Sequence, residues 1–456
     1  MDLQTVFQNL IYFKIMVLSA YICSQSTKPP FMQRRTMFKL LAASSAGILS
    51  PSSLLKASGE EFKQAVDALN RLSPSDDETF WHQIRLAYSI SPTLINLNNG
   101  GVAPAPRVVQ EAVEYYSRMS NEAPSYYMWR ILDQGREPLR QKMANLAGCS
   151  VEELAFNRNS SEALETIIFG LRLKAGDEVV LTKQDYPNMI NAWKQREKRE
   201  GIVLKWINFE FPIEDQRFIV KKFEEAFTDK TKVVHITHTI NWNGQLLPAK
   251  EIALAAKKRN IEVLVDAAHS FAHFQYKISD LECDYFGTSL HKWLSAPIGS
   301  GLLYVRKEKI KNLYPMLAAA DPESEDIRKF ESLGTRSFAL EQAIGQAIDF
   351  FHLIGAERKF NRLHELKMYW VNKVKSHPKV KIISPLSKEF SGAICSVLVE
   401  GKTAGQLSEF LQNEYKIHTV GIDWENIHGV RVTPNVYTMK SELDKLVTGI
   451  LKFADS

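Results

Sequence analysis

IEVLVDAAHSFAHFQYKISDLECDYFGTSLHKWLSAPIGSGLLYVR, residues 261–306, opens on an apolar, largely β-branched run that stops at Asp266. Such a run is the pattern of a strand buried on both faces of a parallel sheet, which puts the acid at the sheet's carboxyl edge. That edge is where open α/β sheets bind ligands. A second apolar segment from Asp284 runs into Ser289, Leu290, His291 and Lys292, and a glycine-rich turn then leads into a strand at Gly301–Val305. Asp266 and Lys292 therefore face one cleft.

Outward from this stretch, strands and helices alternate. EVVLT (178–182), a helix from Pro187, GIVLKWINF (201–209), a helix around Phe218–Phe227, KVVHITH (232–238) and a helix from Pro248 lead back to Asp266. The alternation predicts a doubly wound, mostly parallel sheet. Glu153–Phe156 reads as a further strand, followed by a helix whose start, Asn159 to Glu162, has the spacing of a capping box. A helix start also offers unpaired amides and partial positive charge, and Ser160 and Ser161 add hydroxyls, a set suited to phosphate.

A carboxylate and a lysine in one cleft suit pyridoxal phosphate, which needs a lysine amine for its aldehyde and an anion for its ring nitrogen. By themselves they describe a surface lysine and a helix-capping aspartate equally well. DAAH (266–269), TSLHKW (288–293) and GSGLLYV (299–305) together resemble the cofactor segment of the class V aminotransferases, and LHKWLSAP resembles their isopenicillin N epimerase branch. The resemblance runs from about Leu97 to the C-terminus.

It implies a pyridoxal phosphate enzyme of fold type I, with a large seven-stranded sheet domain at 116–325 and a smaller α+β domain at 326–456, preceded by an N-terminal segment at 59–115. Lys292, Asp266 and His269 become the catalytic candidates. Ser160, Ser161, Ser289 and His291 are expected at the phosphate. Tyr186 is expected to stack on the cofactor, in a place where cysteine desulfurases usually carry histidine, and Asn241 to meet its phenolic oxygen. Asn99 and Gly100, in LNNGG, are expected to border the substrate, and Arg431, in GVRVTPN, to clamp its α-carboxylate. Thr335, after Gly334, is expected to reach the phosphate of a neighbouring subunit, making a homodimer. Where the family carries a threonine-containing turn before Glu162, this chain has the two serines. YKIHTVGIDWENIHG (415–429) lacks the cysteine of persulfide-forming relatives.

The implied activity is chemistry at the α-carbon of an amino acid or small peptide. Transamination, epimerisation and β-elimination all remain open, as does a non-catalytic binding protein on the same fold. The rings of Tyr115, Tyr116, Tyr126, Tyr127 and Trp129 are expected to pack, with a cleft or a dimer interface as the other possibilities.

Bulk properties agree with a globular enzyme. The 456 residues exceed one compact core, and 45% hydrophobic with 24% charged residues is ordinary for such proteins. The net charge of +5 sits entirely in residues 1–58, where Lys14, Lys28, Arg34, Arg35, Lys39 and Lys56 face only Asp2. The neutral remainder carries no footprint for nucleic acid, and no apolar run is long enough to span a bilayer. Cys23, Cys149, Cys283 and Cys395 lack metal-ligand spacing. QRRTMFK (33–39) followed by LLAASSAGILS resembles a twin-arginine export signal, with translation expected to begin at Met32.

Overall fold

The computed structural model describes residues 77–456, so the leader, the arginine pair and Met32 lie outside the described residues. After a helix at Asp77–Leu86 and a two-residue strand β1 (Ile95–Asn96), the chain lays down β2 (Leu154–Asn157), β3 (Glu178–Thr182), β4 (Val203–Ile207), β5 (Thr231–Thr237), β6 (Glu262–Asp266), β7 (Tyr285–Ser289) and β8 (Gly301–Val305). From β2 to β8 these form one seven-stranded sheet in the order β2-β8-β7-β6-β5-β3-β4. Neighbours from β4 to β7 are parallel, and β8 alone runs against both of its neighbours.

The unbroken apolar runs follow from helices covering both faces. Val263 and Val265 point into one core and Leu264 into another; Val180 and Val179 divide in the same way. Side chains alternate across a strand, so every position of a sheet covered on both sides meets a dry environment. Helices at Pro187–Glu200, Gln216–Ala226 and Ala249–Lys257 make the crossovers. Gly201, with φ +72°, ends the first of them in the left-handed turn that glycine permits.

A second, antiparallel sheet follows, built from β9 (Val380–Ile382), β10 (Cys395–Val399), β12 (Val420–Trp424) and β13 (Ile427–Val432) in the order β12-β13-β10-β9. Helices Ala356–Val374, Ala404–Tyr415 and Lys440–Asp455 cover it around Trp370, Leu411 and Leu446. The short β11 (Ile417–His418) pairs in parallel with β1, and Leu97 enters this core. The segment before residue 116 is thus tied into the C-terminal layers, a pairing invisible to local pattern.

In the stretch 321–329, Asp321, Glu323, Glu325 and Asp326 stay exposed while Ile327 and Lys329 go inside. Lys329 is buried, and its Nζ donates to the Ile310 and Pro322 carbonyls. Just beyond, Glu331 receives both Nη groups of the fully buried Arg140 at 2.7 and 2.9 Å and accepts from the Phe156 amide at 2.7 Å. Removing Glu331 would leave the buried Arg140 with only the half-exposed Glu137, at 3.2 Å, as its counter-charge. Glu331→Ala is expected to lower unfolding free energy by ~3 kcal/mol, measured by denaturant titration; a loss no larger than that of an exposed pair such as Arg172–Glu323 would refute the assignment.

Candidate active site

Four parallel strands deliver their last residues to one edge. Thr182, Thr237, Asp266 and Ser289 end β3, β5, β6 and β7, and beside them a cavity of about 230 Å³ opens. Its lining includes Asn159, Ser160, Ser161, Tyr186, Thr237, Asn241, Asp266, His269, Ser289, His291 and Lys292.

At its centre, Lys292 Nζ lies 3.1 Å from His269 Nε2. Burial lowers the Lys292 ammonium to about 8, helped by repulsion from Arg431 and opposed by Asp266. His269 is held well below its ordinary value by burial and then by the charges of Lys292 and Arg431, so its ring is neutral. Burial raises the Asp266 carboxyl, while the Ala268 amide, 2.9 Å from Oδ1, and the Lys292 charge act the other way. A buried acid of this kind calls for a cation opposite it.

The helix Ser160–Gly170 aims its N-terminus at the cavity because Asn159 caps it, Oδ1 accepting from the Glu162 amide at 2.9 Å. The Glu162 carboxylate takes the Arg158 amide, one residue upstream of a standard capping box. Ser289 Oγ accepts from the Ser160 amide at 2.8 Å and lies 2.9 Å from Ser160 Oγ, joining the end of β7 to the helix start. Gly301 permits this approach: a Cβ there would fall 2.6 Å from the Asn159 nitrogen. His291 donates from Nδ1 to the Ser300 carbonyl at 2.9 Å.

Three buried polar atoms of the lining, Asn241 Oδ1, Thr237 Oγ1 and His269 Nδ1, have no protein partner. Each such atom costs ~1–3 kcal/mol unless something meets it. Unmet polar atoms, a helix start with two serines, a buried acid and a lysine of lowered basicity together fit pyridoxal phosphate. Among the described residues no group of side chains is arranged to hold a metal ion.

The remaining expected residues differ among themselves in where they lie. Tyr186 lines the cavity and backs onto Trp242, centroids 6.4 Å apart, with Trp424 stacked behind at 5.3 Å. Arg431, buried on β13, donates through Nη1 to the Asn241 carbonyl and through Nη2 to Asn98 Oδ1, both at 2.9 Å, while its Nε has no partner. Burial lowers its guanidinium to about 10. Asn99 does not turn into the cavity: its amide donates to the Asn96 and Thr433 carbonyls and accepts from Tyr437 Oη at 2.6 Å. Gly100 bonds through its amide to Thr433 Oγ1, and it is Gly101 that reaches the lining. Thr335 stands exposed and outside the lining.

Sequence reasoning passed over Thr237 and Asn98. The first was marked only as the polar end of an apolar strand, the second only as a neighbour of Asn99. Cys283 and Cys395 are buried in the cores and Cys149 is half-buried, and burial pushes the Cys149 and Cys283 thiols up to about 12 and Cys395 to about 11. None of the three lines the cavity.

Residues 95–422 match the family model for aminotransferase class-V. The chain is 26% identical over 387 residues to isopenicillin N epimerase of Streptomyces clavuligerus, which covers 81% of this chain and 97% of that one. It is 27% identical over 339 residues to a probable cysteine desulfurase of Synechocystis, with 70% and 80% covered. Among solved structures, apo cysteine desulfurase from Thermococcus onnurineus superposes with a TM-score of 0.73 at 21% identity, covering 82% of this chain and 98% of that one. A family match over most of the described chain, joined to this sheet and this cavity, means that the protein belongs to the class V aminotransferases, pyridoxal phosphate-dependent enzymes of fold type I.

Proposed function

We propose that the chain acts at the α-carbon of an amino acid or small peptide with a free α-amino carboxylate, in the manner of the isopenicillin N epimerase branch. The observation that carries this reading is Lys292 Nζ within hydrogen-bonding distance of a neutral His269, in one cavity with the buried Asp266. When bound, pyridoxal phosphate supplies an aldehyde that joins amines and a ring that spreads the electron pair left by a departing α-proton.

The chain's own residues do the rest. Asp266 would supply the anion that keeps the cofactor's ring nitrogen protonated. Lys292, its basicity lowered by burial to about 8, offers far more unprotonated Nζ near neutral pH than an ordinary lysine would, to take the α-proton, and His269 Nε2 stands beside it to accept a hydrogen bond from that nitrogen. The start of helix Ser160–Gly170, with Ser160, Ser161, Ser289 and His291, takes the phosphate. Asn241 and Tyr186, both in the lining, would hold the cofactor's ring. Arg431 receives the substrate carboxylate, its buried Nε being free to donate. With no cysteine in the lining, among the described residues, desulfuration through a cysteine nucleophile lacks its nucleophile.

Incubating the purified holoenzyme with single amino acids and small peptides in deuterated water tests the reading. Label at the α-carbon with inversion is the expected result. A keto acid product would mean transamination, and a pyruvate-like product elimination. No α-exchange with any substrate would sink the reading. A further expectation concerns loading. Uptake of the aldehyde needs a neutral amine, so the rate at which the apo protein takes up pyridoxal phosphate should rise with pH through about 8. A rate still climbing toward the ordinary lysine value of ~10.4 would contradict the burial of Nζ.

The reading includes a homodimer. Thr335 is exposed beside Gly334, whose φ is +70°, and Tyr115, Tyr126, Trp129 and Ile298 stand exposed rather than packed. Rings of that size in contact with water favour burial against a second copy. A holoenzyme that elutes as a monomer would refute this. Export through the twin-arginine route is proposed from QRRTMFK alone, and cell fractionation that leaves the protein cytoplasmic would oppose it.

A further inference from the structure

His273 takes part in none of the steps above, yet it touches three segments that must stay in register. The ring is buried and lies flat on Trp293, the residue after Lys292, with centroids 3.7 Å apart and planes 15° apart. Its Nε2 lies 2.9 Å from the amide of Ala393, an N–H that can only donate, so this nitrogen is an acceptor. Nδ1 then carries the proton and donates to the His269 carbonyl at 2.8 Å. One tautomer of a neutral ring is thereby selected.

The surroundings leave the ring no slack. A Cβ at Gly392 would fall 2.2 Å from His273 Nε2. Lys359 donates from a buried Nζ to the Trp293 carbonyl. Ala393 leads directly into β10, where Ser396 pairs with Arg431 on β13. Ser396, the residue paired with the expected carboxylate clamp, is therefore three residues along the chain from a hydrogen bond to His273.

We propose that His273 is a positioning residue: it sets Lys292 and His269 relative to each other and ties both to the strand pair that carries Arg431. It does so by stacking on the indole next to the lysine, by donating to the backbone of His269 and by accepting from Ala393. The inference rests on the reading of Lys292 as the cofactor lysine, and its test is arranged so that the two can fail separately.

The test compares holo wild type with two variants. His273→Phe keeps a flat ring against Trp293 but removes both hydrogen bonds, and Gly392→Ala keeps the imidazole but pushes it. For each, kcat and KM, the pH at which the visible band of the bound cofactor titrates, the dissociation constant for pyridoxal phosphate and the thermal midpoint are measured. Both variants are expected to lose ~10²-fold in kcat with KM little changed, the cost of a misplacement near 1 Å at reacting atoms. Both should also move the pH at which the band titrates and weaken cofactor retention. Variants that melt earlier but keep the kcat and the titration of wild type would overturn the proposal, leaving His273 a core residue. Failure of both to fold would do the same. Wild type that binds no pyridoxal phosphate would instead overturn the reading of Lys292, and this inference with it.

Discussion

Lys292→Ala is expected to lower kcat by ~10⁴-fold, the loss of a proton-transfer group and of the covalent anchor together. Among the described residues no other lysine lines the cavity to take over. The fold should survive, because Nζ has a single hydrogen-bond partner, His269, and alanine leaves no charge behind. Two measurements check this. Steady-state kinetics report the rate, and borohydride, which makes a lysine–aldehyde linkage permanent, should leave added mass on the peptide containing Lys292 in wild type and on no peptide in the variant. Tagging of another lysine in wild type would move the cofactor elsewhere and undo the assignment.

Asp266→Asn should cost ~10³-fold in kcat, the scale of removing a fixed charge aimed at the reacting group. The substitution isolates charge from shape: an asparagine Oδ1 can still accept from the Ala268 amide, which now lies 2.9 Å away. Cofactor affinity should fall far less than kcat, since the helix start, the serines and Lys292 remain. The sign follows from burial. An acid with its carboxyl raised by desolvation gains most when a cation comes to face it, and a ring held protonated is that cation. If Asp266→Asn turned over like wild type, the ring nitrogen would need no anion and the carboxylate would be a structural cap for the turn at Ala268.

The strands were legible because their signal is local. EVVLT became β3 and GLLYV became β8 to the residue, and the run ending at Asp266 became the middle of the large sheet. A strand covered on both faces must be apolar at successive positions, and the polar residue that ends it must sit at an edge. The pair proposed to hold the cofactor was legible for the same reason: Asp266 and Lys292 are each the polar terminus of an apolar run or lie just past one. The capping reading of Asn159 held for its side chain, whereas Glu162 bonds one residue further back, at Arg158.

Other features depend on partners far away in the chain. Asn98 and Asn99 are adjacent and identical in type, so no pattern could say that one would hold Arg431, 333 residues on, while the other would be sealed against Thr433 and Tyr437. The aromatic residues between 115 and 129 are expected from the sequence to pack, yet Tyr115, Tyr126 and Trp129 face out. Glu331 gives no sign in the sequence of its partner Arg140, which the fold brings in from 191 residues away.

The order of strands and helices, the edge that collects their polar ends and the acid and amine placed there follow from the chain read alone, because burial on two faces writes itself into every consecutive residue of a strand. Tertiary structure alone decided which asparagine meets the arginine, that Gly101 rather than Asn99 reaches the cavity, that Thr237 completes its wall and that His273 locks against Trp293 and Ala393. Those choices depend on hydrogen bonds between groups brought together only by folding, and a donor or acceptor carries no mark in sequence of the partner it will find.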